Sequence, residues 1–143
     1  KTLYAKLSLH KDLASRLIFE ITESNTITEL DLVNKFIKQM QDTGYEVCLD
    51  DFGAGSASFQ YLQKLHVDYV KIDGQYTQKL LASRRDAVLI KNLAQMCHDL
   101  DIKVIAERVE QEEQAVRLRE YNIGFGQGYY FGKPTPKPEY KER

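Results

Sequence analysis

Acidic or amide residues recur at the ends of short apolar runs in this 143-residue chain. Glu20 stands in Ile18-Phe-Glu-Ile-Thr22, Asp50 and Asp51 follow Val47-Cys-Leu49, and Asp73 follows Val70-Lys-Ile72. Glu107 follows Val104-Ile-Ala106, and Gln127 follows Phe125-Gly126. One carboxylate in such a place is ordinarily a turn residue or the cap of the next helix. Repetition changes the expectation. Gathered together, Glu20, Asp50, Asp51 and Glu107 would repel one another and resist desolvation unless cations neutralised them. Lys71 is one such cation, and a divalent metal is the natural second. Carboxylate oxygens without cysteine or histidine at ligand spacing suit Mg²⁺ or Mn²⁺ rather than structural zinc. The adjacent pair Asp50-Asp51 is the most informative. Neighbours in a strand point to opposite faces, yet the bend Phe52-Gly-Ala-Gly55 behind them can turn both carboxylates toward one centre. That arrangement suits two ions about 3.5 to 4 Å apart acting on a phosphodiester. His10, His66 and His98 fall in helix or loop segments and read as surface or structural residues.

Elements must deliver these residues to one place. Five strand-like runs are expected, over 17–22, 46–51, 68–73, 102–107 and 125–131. Helical patterns lie between them, with Leu30, Val33, Phe36, Ile37 and Met40 on one face and Asn25 or Thr28 as the cap. Val88, Leu89, Leu93, Met96 and Cys97 mark a second helix over 88–100, a third spans 110–121, and 2–10 reads as the end of another. Strand and helix alternating in this way predict a parallel sheet with right-handed crossovers. Parity then puts Glu20 with Ile18, Asp50 with Cys48, Lys71 and Asp73 with Tyr69, and Glu107 with Ile105 on one face. In the last run Gln127, Tyr129 and Phe131 would alternate with Gly126, Gly128 and Tyr130, and the aromatics read as core. A closed eight-stranded α/β barrel takes about 250 residues, so five strands fall roughly three units short. The expected fold is a partial (β/α)₈ barrel of the TIM type, with residues 1–143 forming the C-terminal part of one barrel domain.

Charge excludes several functions. Lys plus Arg number 20 and Asp plus Glu 21, a net charge of -1, so no long-range field favours a nucleic-acid polymer or a membrane surface. No apolar run approaches a membrane span. A cytoplasmic segment is expected, within a protein that can be membrane-anchored elsewhere. Cys48 and Cys97 have neither CxxC spacing nor a disulfide framework and read as reduced core residues.

Taken together, several stretches resemble the EAL domain family, bacterial cyclic di-GMP phosphodiesterases built on a modified (β/α)₈ barrel. They are Glu20-Ile-Thr-Glu23, Asp50-Asp-Phe-Gly-Ala-Gly55, Lys71-Ile-Asp73, Val104-Ile-Ala-Glu-Arg-Val-Glu110 and Gln127-Gly-Tyr-Tyr-Phe-Gly-Lys-Pro134. The resemblance implies that Glu20 and Asp50 are metal ligands, that Asp51 serves a second metal, and that Asp73 supports the same site. It implies that Lys71 positions or deprotonates the attacking water, that Glu107 lies beside the metals, and that Glu23 steadies the loop after Asp51. Gln127 would lie near the site, and Arg108, where the family commonly has Gly, could meet a ligand phosphate or could instead neutralise Glu107 and crowd the pocket. Residues 54–58 read Ala-Gly-Ser-Ala-Ser where many active members have Thr-Gly-Tyr-Ser-Ser. The family's Glu-Ala-Leu tripeptide and the Asn ligand of its next strand are not among these residues. The implied function is hydrolysis of cyclic di-GMP to linear pGpG in the intact protein, as a homodimer with Mg²⁺ or Mn²⁺. The isolated 143 residues are expected to be inactive. The alternative is a cyclic di-GMP receptor that has lost catalysis. An enolase-type barrel explains the charges but not the Asp-Asp-Phe-Gly bend.

Overall fold

The computed structural model describes residues 2–22, 29–53 and 58–137. Helix α1 (Thr2–Leu9) and a 3-10 segment (Lys11–Arg16) lead into β1 (Ile18–Thr22), and α2 (Leu30–Asp42) leads into β2 (Glu46–Phe52). Then follow α3 (Ser58–Lys64), β3 (Tyr69–Ile72), α4 (Gly74–Lys79), α5 (Arg84–Asp99), β4 (Lys103–Ala106), α6 (Glu112–Glu120) and β5 (Phe125–Gly126). The strands form one parallel sheet in sequential order, β1-β2-β3-β4-β5. A doubly wound sheet reverses its order at a switch point; this one never does, as in a barrel.

The core lies between one sheet face and the helices. Val47, Leu49, Val70, Ile72, Val104 and Ala106 meet Ile37 and Met40 of α2, Ile90 and Cys97 of α5, and Leu118 of α6. The opposite face carries Glu20, Cys48, Asp50 and Lys71. β-branched residues suit the strands, since their stiff side chains pack well on a pleated surface. Helix α2 stops where Gly44, at φ 98°, turns the chain out of the helical region. Ser83 caps α5 by accepting from the Asp86 backbone N–H at 3.2 Å. Both cysteines are free and buried.

Several expectations need correction. Asn25 and Thr28 lie outside the described residues; α2 begins at Leu30, and Glu29 before it makes no side-chain cap bond. The buried stripe of α5 is Ala87, Ile90, Ala94 and Cys97, leaving Val88 and Leu89 exposed. Two of these four are small alanines, so the true stripe is weaker in hydrophobicity than the face beside it. The run 125–131 is a strand only over Phe125 and Gly126. Beyond it the chain turns back on itself, with Tyr130 N–H donating to Val109 O at 3.0 Å and Phe131 N–H to Gly128 O at 3.1 Å. Gly128 makes this possible, because a Cβ there would lie 2.3 Å from the Val109 carbonyl oxygen. Tyr129, Tyr130 and Phe131 are consequently exposed (62%, 42% and 51%) rather than core.

Candidate metal centre

The site grows from an irregularity in β2. Val47 and Leu49 enter the core, alternation would send Asp51 after them, and instead Phe52 does so. Asp51 takes a left-handed backbone, φ 54°. Against β3 the register jumps, with Leu49 opposite Val70 and Phe52 opposite Ile72, so β2 spends one extra residue there. This is a bulge, and Asp is among the residues that tolerate that conformation best. Its consequence is chemical: Asp50 and Asp51 both stay off the helix-covered face. The turn begins inside the strand at Asp51 and continues at Gly53, φ 96°, the first glycine of the expected bend; Ala54 and Gly55 lie outside the described residues.

Carboxylate oxygens of Asp50, Asp51 and Glu107 lie within 4.8 Å of one another. Asp51 N–H donates to Asp50 Oδ1 at 2.8 Å, which orients the first carboxylate. Gly74 N–H donates to Glu107 Oε2 at 3.2 Å, which fixes the third. Burial pushes the Glu107 carboxyl up to about 7, helped by its hydrogen bond with Asp50 and by the charges of Asp50 and Asp51, against the Gly74 contact. Burial, then Asp50 and Asp73, also raise Asp51. A proton on Glu107 thus does part of what a cation would do among three half-buried carboxylates. All three donors are hard oxygens, so the residues present fit Mg²⁺ or Mn²⁺.

Lys71 is buried and donates across β2 to Glu20 of β1 on the same face of the sheet, the side chains being 6% and 44% exposed. Burial lowers its ammonium, but the Glu20 hydrogen bond and charge, with Asp50 and Cys48, more than offset this and raise it. Cys48 lies beneath, its thiol pushed up to about 12 by burial against the opposing charge of Lys71. A protonated thiol is no metal ligand. Glu20 is exposed, so the desolvation expected for it falls on Lys71 instead.

The other expected residues divide. Asp73 accepts from Gln75 N–H at 2.9 Å and caps α4, the ordinary role of a strand-end Asp, and it is not in the three-carboxylate group. Its charge still reaches Asp51. Gln127 sits at the end of β5, its N–H donating to Ala106 O at 2.9 Å and its carbonyl accepting from Val109 N–H at 3.0 Å, with the side chain exposed. Arg108 is exposed beside Glu107, at φ 53°, and its stem lies over Gly74, where a Cβ would sit 2.4 Å from Arg108 Cδ. Glu23 and residues 54–57 lie outside the described residues. Sequence reasoning missed Gly74; its position directly after Asp73 at a strand-to-helix junction is the signal that was available.

A parallel sheet in barrel order, with hard oxygen donors and a buried lysine at its carboxyl end, defines a (β/α)-barrel protein with an acidic rim. The chain belongs to the EAL domain family, whose model matches residues 1–134. It is 38% identical over 125 residues to the cyclic di-GMP phosphodiesterase PdeB of Shewanella oneidensis, covering 87% of this chain and 15% of that protein. Among solved structures it is similar to an EAL domain protein from Listeria monocytogenes (34% identity, TM-score 0.78), covering 93% of this chain and 56% of that one. It is also similar to the manganese and cyclic di-GMP complex of Klebsiella pneumoniae BlrP1 (30% identity, TM-score 0.77), covering 85% of this chain and 31% of that one. The chain thus spans under a fifth of PdeB and about half of the Listeria protein. Among the described residues no helix is long and apolar enough to cross a membrane.

Proposed function

We propose that these residues form the C-terminal part of a barrel that binds cyclic di-GMP and hydrolyses it to linear pGpG with Mg²⁺ or Mn²⁺, in the cytoplasm and as a homodimer. The observation that carries this reading is the convergence of Asp50, Asp51 and Glu107 within 4.8 Å beside the Lys71–Glu20 pair. PdeB and BlrP1, by what they are and bind, supply the substrate class. Asp50, Asp51 and Glu107 would hold the ion, with Glu20 completing the ligand set if Lys71 yields one of its oxygens. A divalent ion there supplies Lewis acidity and neutralises charge on a phosphodiester. Lys71, its ammonium stabilised by Glu20, donates hydrogen bonds and orients water or a phosphate oxygen; a group held protonated does not serve as the base. Glu107, near 7, can hold or release a proton at neutral pH. Arg108, exposed beside Glu107, would offer a forked donor to a ligand phosphate, and Gln127, exposed at the end of β5, would be a further ligand contact. Asp73 supports the site through its charge and its cap on α4.

Arg108 also favours a second reading, a receptor without catalysis, because its stem fills the space over Gly74 next to Glu107. Titration of cyclic di-GMP into the complete protein, with and without Mn²⁺, followed by product analysis, separates the two. Metal-dependent release of linear pGpG is expected. Tight binding with no linear product establishes the receptor, and no binding in either condition defeats both.

A further inference from the structure

A segment that contributes none of the three carboxylates holds Glu107 and the turn at Asp51 to Gly53. We propose that Tyr76 is a positioning residue for the Asp50-Asp51 pair, its hydroxyl clamping the turn that presents them; this rests on the metal-site reading above. Two residues of that turn are left-handed, Asp51 at φ 54° and Gly53 at φ 96°. Such backbone persists where its surroundings over-determine it. Here the surroundings are the β3–α4 junction. Asp73 N–H donates to Phe52 O at 3.2 Å, and Tyr76 Oη donates to Gly53 O at 2.7 Å. The Tyr76 ring lies so close that a Cβ on Gly53 would be 2.9 Å from Cε2. Tyr76 is itself aimed by packing against the core and by its N–H donating to Asp73 O at 3.1 Å.

The same junction reaches the other arm of the site, since Gly74 N–H holds Glu107. One four-residue stretch, Asp73 to Tyr76, therefore sets the separation between the β2 and β4 carboxylates. A phenylalanine at position 76 would fill the space under Gly53 but remove the hydroxyl that donates to its carbonyl. The hydroxyl is the specific part.

The test is Tyr76→Phe in the complete protein, read by Mn²⁺ titration and by amide hydrogen exchange of the metal-free form. Loss of one net hydrogen bond predicts an Mn²⁺ dissociation constant raised about three- to ten-fold. Exchange should quicken in the peptide covering residues 49–53 and stay unchanged in β3 and β4. Gly53→Ala, which drives a methyl against the ring, should weaken Mn²⁺ at least as much. Wild-type affinity and wild-type exchange in Tyr76→Phe would overturn the proposal. So would faster exchange across the whole sheet, which marks a merely structural role. A wild-type protein that binds no Mn²⁺ would overturn the metal reading and the positioning role with it, whereas a binding wild type matched by the variant would overturn the positioning role alone.

Discussion

Strands β2 and β3 are neighbours with the same core, yet they handle alternation differently. In β3 the period of two is unbroken: Val70 and Ile72 face the helices, Tyr69 and Lys71 face away, and all four are buried. In β2 the period breaks at Asp51 and resumes one residue late at Phe52. The regular strand supplies the fixed cation, and the irregular one supplies two adjacent carboxylates that regular geometry would have separated. The left-handed backbone falls where the carboxylates converge, beside a neighbour whose alternation is regular.

The contrast can be broken at its chemical end first. Asp51→Ala or Asp50→Ala in the complete protein should weaken Mn²⁺ by more than the ~100-fold that loss of an outer-sphere partner can reach, measured by calorimetric titration. Affinity within a few-fold of wild type would remove that residue from the ligand set. Next, Phe52→Ala removes the anchor that restores register and should cost about 3–5 kcal/mol in urea unfolding. A cost near that of an exposed substitution would mean the bulge is not pinned from the core.

Smaller effects sharpen the same comparison. Glu20→Gln leaves buried Lys71 without its anion. The cost should be about 1–2 kcal/mol, below the 3–5 kcal/mol of a fully buried pair because Glu20 is 44% exposed. At Asp51, Gly should be tolerated better than Val by about 1–3 kcal/mol, since only the latter resists a positive φ. A further effect is in pH. Glu107 binds its proton more tightly folded than unfolded, so stability must fall as pH rises from its ordinary range near 4.5 through about 7. Thermal melts of the metal-free protein should show this fall in wild type and a flatter profile in Glu107→Gln; parallel profiles would remove Glu107 as the source.

Much of this was legible in the residues. The sequential parallel sheet follows from alternation of strand and helix, and parity put Glu20, Asp50, Lys71 and Glu107 on one face, as found. What was not legible depended on backbone dihedrals. Nothing in Asp50-Asp51-Phe52 says that the second Asp, as well as Gly53, leaves the β region, so that Phe52 enters the core. The run 125–131 failed as a strand for a similar reason: Gly128 packs on the Val109 backbone, a close approach invisible to periodicity. Asp73 met the commonest fate of a strand-end Asp and became a cap. Tyr76 escaped notice because a tyrosine in a short helix signals core, and only its hydroxyl distance marks it out.

The most direct measurement is manganese anomalous scattering from crystals of the complete protein. A peak is expected within bonding distance of carboxylate oxygens from Asp50, Asp51 and Glu107. Manganese absent from that cluster, or bound at some other group of residues while these three carboxylates stay unliganded, would contradict it.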